Sequence, residues 1–256
     1  MLHIEILPAL ADNYIYLLRE PKSGETAAVD PADAQVVLDA LRQRGWKLTY
    51  VLNTHHHADH VDGNRRLKAE TGCRIVGAQS DAARIPGLDL GVAEGEILML
   101  GNAEARILDL SGHTRGHIGF WFPEEEAVFC GDTLFSLGCG RLFEGSADEM
   151  WRSLGKLAGL PLATRIYCAH EYTEANGRFA LTLEPDNPAL QQRLSEVRAL
   201  RARHLPTLPV TVAQELAANP FLRPHSVAIR RTLGMEGEPE VAVFAAIRRR
   251  KDQFRG

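Results

Sequence analysis

Short apolar runs recur along the first third of the chain, each closed by turn residues. Residues 2–7, 13–19 and 26–29 are alternating or continuous apolar stretches, separated by Pro8, Asp12-Asn13 and Lys22-Ser23-Gly24. This pattern predicts three strands of an antiparallel meander. Asp30 followed by Pro31 reads as a helix cap and first helical position. Val36, Val37, Ala40 and Leu41 then keep helical spacing as far as Gly45. The β-branched and apolar stretch 49–54 predicts another strand, and 60–71 a helix ended by Gly72. Strand-like segments follow at 74–78, 97–100, 105–110, 118–122 and 126–130. Ser146 with Glu149 three residues on forms a capping box ahead of Trp151, Leu154, Leu157 and Ala158. Residues 164–168 form the last predicted strand. Beyond Tyr172 the texture changes to helices opening at Asn187-Pro188, Thr211, Pro224 and Pro239, with no strand among them. The pattern describes a mixed α/β core, residues 1–172, followed by a helical domain, residues 173–256.

Composition narrows this reading. At 45% hydrophobic and 24% charged residues, the chain is neither disordered nor fibrous. No segment approaches the ~20 apolar residues of a membrane span, and the N-terminus reads as a first strand without a basic leader. The expectation is a cytoplasmic protein with no membrane partner. Cys73, Cys130, Cys139 and Cys168 form no C-x-x-C pair and read as reduced, buried small hydrophobes, with Cys139 in Gly138-Cys-Gly140 near a site. The net charge of −4 divides into +6 from Arg198 onward and −10 before it. A cationic tail on an acidic body suggests that the tail meets an anion, a solvated helix face being the plain alternative.

The chemistry-bearing signal is His55-x-His57-x-Asp59-His60, directly after a strand. Four ligand-type side chains in six residues would go unsatisfied in an apolar core. At a strand's end, alternate residues can face one cavity while the next pair reaches a second point, which favours two cations over one. Histidine with carboxylate suits zinc, manganese or iron, unlike an oxygen-only magnesium site. Further ligands must come from elsewhere. The candidates follow other strands: His113 in Ser111-Gly-His-Thr-Arg-Gly-His117, Asp132 in Cys130-Gly-Asp-Thr133, and His170 in Ala169-His-Glu-Tyr172. Spacing alone does not say whether His113 or His117 is the ligand.

Thr54-His-His-His-Ala-Asp-His60 and these three motifs resemble the metallo-β-lactamase fold, an αββα sandwich. With Asn219-Pro-Phe221 and Arg248-Arg-Arg-Lys-Asp-Gln-Phe254, the whole chain resembles glyoxalase II, the hydroxyacylglutathione hydrolases. The resemblance implies His55, His57 and His113 on one metal, Asp59, His60 and His170 on the other, and Asp132 bridging them. His56 would point away and His117 would support the site. It also implies a glutathione site at Arg141, Phe143, Tyr172, Arg248 and Lys251, where cations can pair with the two carboxylates of glutathione. Arg141 and Phe143 stand where relatives often have lysine and tyrosine, and Asp62 where they usually have glycine. The implied reaction is hydrolysis of S-(2-hydroxyacyl)glutathione, S-D-lactoylglutathione giving glutathione and D-lactate, within methylglyoxal detoxification. A hydroxide held by two divalent ions, zinc first with iron or manganese as alternatives, attacks the thioester, and Asp59 accepts its proton. The chain is expected to act as a monomer on this small molecule.

Two other activities of the same fold compete. A tRNA-processing phosphodiesterase would need an extended basic surface, which a −10 core does not offer. An iron-dependent persulfide dioxygenase resembles the core alone and lacks such a helical tail. A binding module without catalysis is a third reading, disfavoured because every expected ligand position is filled.

Overall fold

The computed structural model describes residues 1–255. The meander is present as β1 (His3–Ala9), β2 (Asn13–Arg19) and β3 (Thr26–Val29), paired antiparallel. After α1 (Ala34–Arg44), the sheet continues in parallel with β4 (Tyr50–Leu52), β5 (Arg74–Ala78) and β6 (Leu90–Val92). A second sheet begins with β7 (Ile97–Leu100), β8 (Ala103–Asp109), β9 (Ile118–Phe122) and β10 (Ala127–Gly131). It is completed by β13 (Arg165–Cys168), parallel to β10, and β14 (Val210–Thr211), antiparallel to β13. Between them lie the small hairpin β11 (Leu134–Phe135) and β12 (Gly138–Cys139), and α4 (Ala147–Ala158).

Side-chain alternation explains the layering. In β2, Tyr16 and Leu18 face inward and pack with Ile107, Phe120, Phe129 and Ile166 of the second sheet. Ile15 and Leu17 face the other way, against Val37 and Leu41 of α1 and Leu67 of the helix over residues 64–71. Because β2 is covered on both faces it reads as a continuous apolar run. Each such fully buried large side chain contributes about 1.5–3 kcal/mol. The result is the expected sandwich of two sheets with helices outside.

The chain after residue 172 runs through α5 (Thr173–Leu181), α6 (Pro188–Arg201), α7 (Val212–Ala218), α8 (Val227–Leu233) and α9 (Glu240–Gln253). The capping box at Ser146 with Glu149 forms, a second joins Thr211 with Gln214 at the start of α7, and Asn187 caps α6.

Several expectations are corrected. The helix expected over 60–71 is two pieces, α2 (Ala58–Val61) and α3 (Asn64–Thr71), because Gly63 turns to donate to the Pro31 carbonyl at 2.9 Å. The cap of α1 is Asp33 and not Asp30. Pro224 does not open α8; Ser226 caps it. β6, the β11–β12 hairpin and α5 were not expected. The C-terminal region also contributes a strand, β14, whose two residues are too short to show a period. Asp62 is exposed at the end of α2, so no structural reason requires glycine there. Among the described residues, no helix is long and apolar enough to cross a membrane.

Candidate metal centre

Four loops at one edge of the sandwich carry the candidate ligands. The loop after β4 starts at Asn53, whose amide pairs with that of Asn64 and also donates to the His60 carbonyl at 3.1 Å. That anchors both ends of the His55–His60 segment. The loop after β8 carries His113, the end of β10 leads to Asp132, and the end of β13 leads to His170. Gly131 just before Asp132 has φ +49°, and a Cβ there would stand 2.3 Å from Thr54 Oγ1. Only glycine lets β10 turn so tightly under the site.

The donor atoms converge in two groups. His57 Nδ1 lies 3.1 Å from both His55 Nε2 and His113 Nε2. His170 Nε2 and His60 Nε2 lie 3.5 and 3.7 Å from Asp59 Oδ2. The Asp132 carboxylate stands between the groups. Its Oδ2 is 3.5 Å from His113 Nε2, while Oδ1 is 3.6 Å from His60 Nε2 and 3.4 Å from His170 Nε2. Donor atoms of His55, His57 and His113, of His55, His60 and Asp132, and of Asp59, His60 and His170 each lie within 4.8 Å of one another. His60 Nε2 and Asp132 Oδ1 are buried with no protein hydrogen bond, a costly state that a bound cation would relieve. The donor set fits two divalent cations.

Protonation follows the same geometry. Burial pushes His55, His57 and His113 below the usual histidine range, aided by repulsion from neighbouring histidines, His60 among them, so these rings are neutral and ready to bind a cation. Burial opposes charge on His170 too, yet Asp132 and Asp12 push it up to about 9. For Asp132 itself, burial raises the pKa, but His60, His170 and His113 outweigh this and hold the carboxylate ionised.

The rings are oriented from behind by groups the sequence reading did not pick out. His170 Nδ1 is 2.8 Å from Asp12 Oδ1. His60 Nδ1 stands 3.1 Å from Asp30 Oδ2, close but outside hydrogen-bond geometry, and Asp30 accepts from Thr54 N at 2.8 Å and Thr54 Oγ1 at 2.7 Å. His113 Nδ1 is 2.8 Å from the Arg141 carbonyl, and His55 Nδ1 is 3.1 Å from Thr54 Oγ1. Such outer partners fix tautomer and direction. Asn13 donates to Asp59 through its amide, at 3.0 Å to the carbonyl and 3.3 Å to Oδ2. His56 does point away, to Asp81. His117 is buried beneath the site and accepts from Asp132 N at 3.1 Å.

A cleft of about 470 Å³ opens from His113 and Asp132 toward α9 and brings together Arg141, Phe143, Tyr172, Arg248 and Lys251. Tyr172 stacks on the His170 ring at 4.8 Å, and Phe143 lies edge-on to His113 and His57 at 5.1 and 5.7 Å. Cys139 lines the same cleft, buried, its thiol pushed up to about 11 by burial. Arg248 is also buried. Its guanidinium already donates to the Cys139 carbonyl at 2.7 Å and to Asp252 at 2.9 Å. Lys251 sits over the rings of Phe179 and Phe254, and burial with Arg248, Arg178 and Arg141 nearby lowers it to about 8.

Two adjoining family descriptions together match residues 13–254. "Metallo-beta-lactamase superfamily" matches residues 13–170, and "Hydroxyacylglutathione hydrolase C-terminus" matches residues 171–254. A hydroxyacylglutathione hydrolase of Methylococcus capsulatus is 61% identical over 256 residues, covering 100% of both chains. One of Maricaulis maris is 53% identical over 98% of each. Among solved structures, ETHE1 from Myxococcus xanthus superposes with TM-score 0.67 at 22% identity, covering 99% of this chain and 100% of that one. The BLEG-1 B3 metallo-β-lactamase gives 0.66 at 19% identity, covering 86% and 100%. These two likenesses show the fold. Identity over the full length shows more, and this chain belongs to the hydroxyacylglutathione hydrolase family of the metallo-β-lactamase superfamily.

Proposed function

We propose that the chain hydrolyses S-(2-hydroxyacyl)glutathione thioesters, taking S-D-lactoylglutathione to glutathione and D-lactate. The observation that carries this reading is the Asp132 carboxylate, with one oxygen toward His113 and the other toward His60 and His170, at the head of a cationic cleft. His55, His57 and His113 would hold one divalent ion and Asp59, His60 and His170 the other, with Asp132 placed to serve both; the donor set suits zinc first and iron or manganese next. When bound, the two ions supply hydroxide at neutral pH and polarise the thioester carbonyl.

The chain's own residues do the rest. Arg141 and Lys251 take the carboxylates of glutathione, and Arg248, locked onto Cys139 and Asp252, shapes and charges the wall between them. Phe143 and Tyr172 flank the opening above His113 and His170 and shield the acyl group from bulk water. Asp59, held by Asn13, accepts the proton released as the nucleophile attacks. The leaving thiol has an intrinsic pKa near ~8.5 and needs no acid. Every group named comes from one chain, so the reading requires no partner subunit. The helices from residue 173 onward act as the substrate-binding domain over the catalytic one.

The direct test is thioester hydrolysis by metal-analysed protein, followed by loss of thioester absorbance alongside an oxygen electrode. Chelator-sensitive turnover with about two metals per chain and no oxygen uptake supports the reading. No turnover by fully metallated protein overturns it. Because Lys251 is charged only below about 8, KM is expected to rise as pH passes that value while kcat is held. A second dependence belongs to the metal. His170 must shed a proton that it holds up to about 9, and His60, raised as well, must shed its own, so affinity at their site falls by at least about tenfold per pH unit below 9. Affinity at the His55, His57 and His113 site, whose rings are already neutral, stays level above pH 7. Cobalt titration at several pH values reads both slopes.

A further inference from the structure

Outside the ligand set, a chain of polar side chains joins the ligand loop to the wall of the cleft. His56 Nδ1 is 2.8 Å from Asp81 Oδ2, and buried Asp81 also accepts from Arg84 Nε at 2.6 Å. Arg84 forks onto Glu144 with both terminal nitrogens, 3.1 Å for Nη2, and its Nη1 lies 3.2 Å from His56 Nε2. Glu144 further accepts from the Arg115 backbone N–H at 2.9 Å. Arg84 holds the Glu144 carboxyl down at about 2 against a small burial penalty. Asp81 fills a place that depends on the Thr-x-Gly-His motif: a Cβ on Gly116 would stand 2.4 Å from its Cγ.

What this chain of contacts holds is the strap over residues 140–145. The strap gives its Arg141 carbonyl to His113 Nδ1, and Phe143 N donates to the His113 carbonyl at 3.2 Å. Gly145 N donates to the Gly112 carbonyl at 3.1 Å. The same six residues present Arg141 and Phe143 to the cleft. A shift of the strap therefore moves the group that aims His113 and the groups that meet the substrate together. An exposed ion pair alone contributes little. A planar fork anchored at its other end on a buried carboxylate fixes direction as well as distance.

We propose that His56, Asp81, Arg84 and Glu144 form a clamp of positioning residues that sets the strap, and so couples metal retention at the His113 side to binding of the glutathione end. This deepens the reading above and rests on it for the identity of metal and substrate. None of the four supplies a donor atom to the three ligand groups.

The test uses the full zinc-loaded chain with Arg84→Met, Glu144→Gln, the double variant and Arg84→Lys. Zinc loss to a chelator is read without substrate, and kcat and KM with S-D-lactoylglutathione. Each single variant is expected to lose one zinc about tenfold faster, the scale typical of removing an outer partner of a ligand. KM rises with it, kcat stays within about twofold, and Arg84→Lys recovers part of both. The double variant is no worse than the worse single one, since both cut the same clamp. Arg66→Ala, which breaks the exposed pair with Glu70 on α3, leaves zinc loss and KM unchanged. Wild-type zinc loss and KM in both single variants, with or without a lowered Tm, overturn the proposal. So do additive effects in the double variant. Because zinc loss needs no substrate, it stands even where the thioester reading fails.

Discussion

Replacing Asp132 by asparagine is expected to abolish turnover and to lower metal content from about two ions to about one per chain. Among the described residues, the carboxylate is the only group whose two oxygens face different donor groups, Oδ2 toward His113 and Oδ1 toward His60 and His170. Asparagine keeps the shape but offers one oxygen and no charge. Three histidines then crowd a neutral amide in a buried site. His60 and His170, whose pKa values are raised largely by Asp132, fall back toward the ordinary range or below. Loss of several kcal/mol of transition-state stabilisation from one ion corresponds to at least about a thousandfold in rate. Metal analysis, steady-state rates and a melting curve on one preparation check this. Two retained metals with turnover within tenfold of the parent would exclude a bridging role for Asp132.

The second large effect comes from a contrast between Asp12 and Asp30, which stand behind His170 and His60. Asp12 is partly exposed, its side chain at 39%, and sits on the turn between β1 and β2. Asp12→Ala removes the partner of His170 Nδ1 without opening the core. About 10–100-fold of metal affinity is lost at that site with little change in Tm. Asp30 is buried, and its backbone adopts φ +48° while its carboxylate binds Thr54 N and Oγ1. Asp30→Ala leaves those buried donors unpaired at about 1–3 kcal/mol each. It therefore lowers Tm and metal affinity together. If the two variants behave alike in melting and in metal titration, the assignment of different roles fails.

These same aspartates mark the limit of what could be read from the chain. The ligand loop is legible because His55, His57, Asp59 and His60 are contiguous, and no packed core accommodates that run. Asp12 and Asp30 occupy places where aspartate is ordinary, a turn and a pre-proline position, so nothing local sets them apart. α5 carries Asn176-Gly177, a dipeptide that favours turns and breaks the helical pattern. In the fold, Gly177 lets Leu194 of α6 come close, and Asn176 spends its amide on the Ser136 carbonyl. The β11–β12 hairpin was missed for a related reason. Its order comes from α7 and the turn after it, where Glu215 binds Ser136 Oγ and Leu137 N and Asn219 binds the Phe135 and Gly138 carbonyls. Periodicity records what an element does alone and is silent on what a distant segment imposes. The mixed α/β core and the placing of four ligand motifs after strands followed from the pattern directly, whereas the layered sandwich was what the family resemblance implied.

Strand β14 changes what kind of object the C-terminal helical region is. It seals the open flank of β13, whose end carries His170, and it is reached only after the chain has passed residue 209. All seven candidate ligands leave the ribosome before that flank is covered. A nascent chain cut off after Tyr172 would thus own a full ligand set on a sheet with a bare hydrogen-bonding border, the kind that recruits other strands. The helical region is for that reason no interchangeable cassette, and chimeras that swap it without a matching β14 are expected to precipitate before they can be assayed.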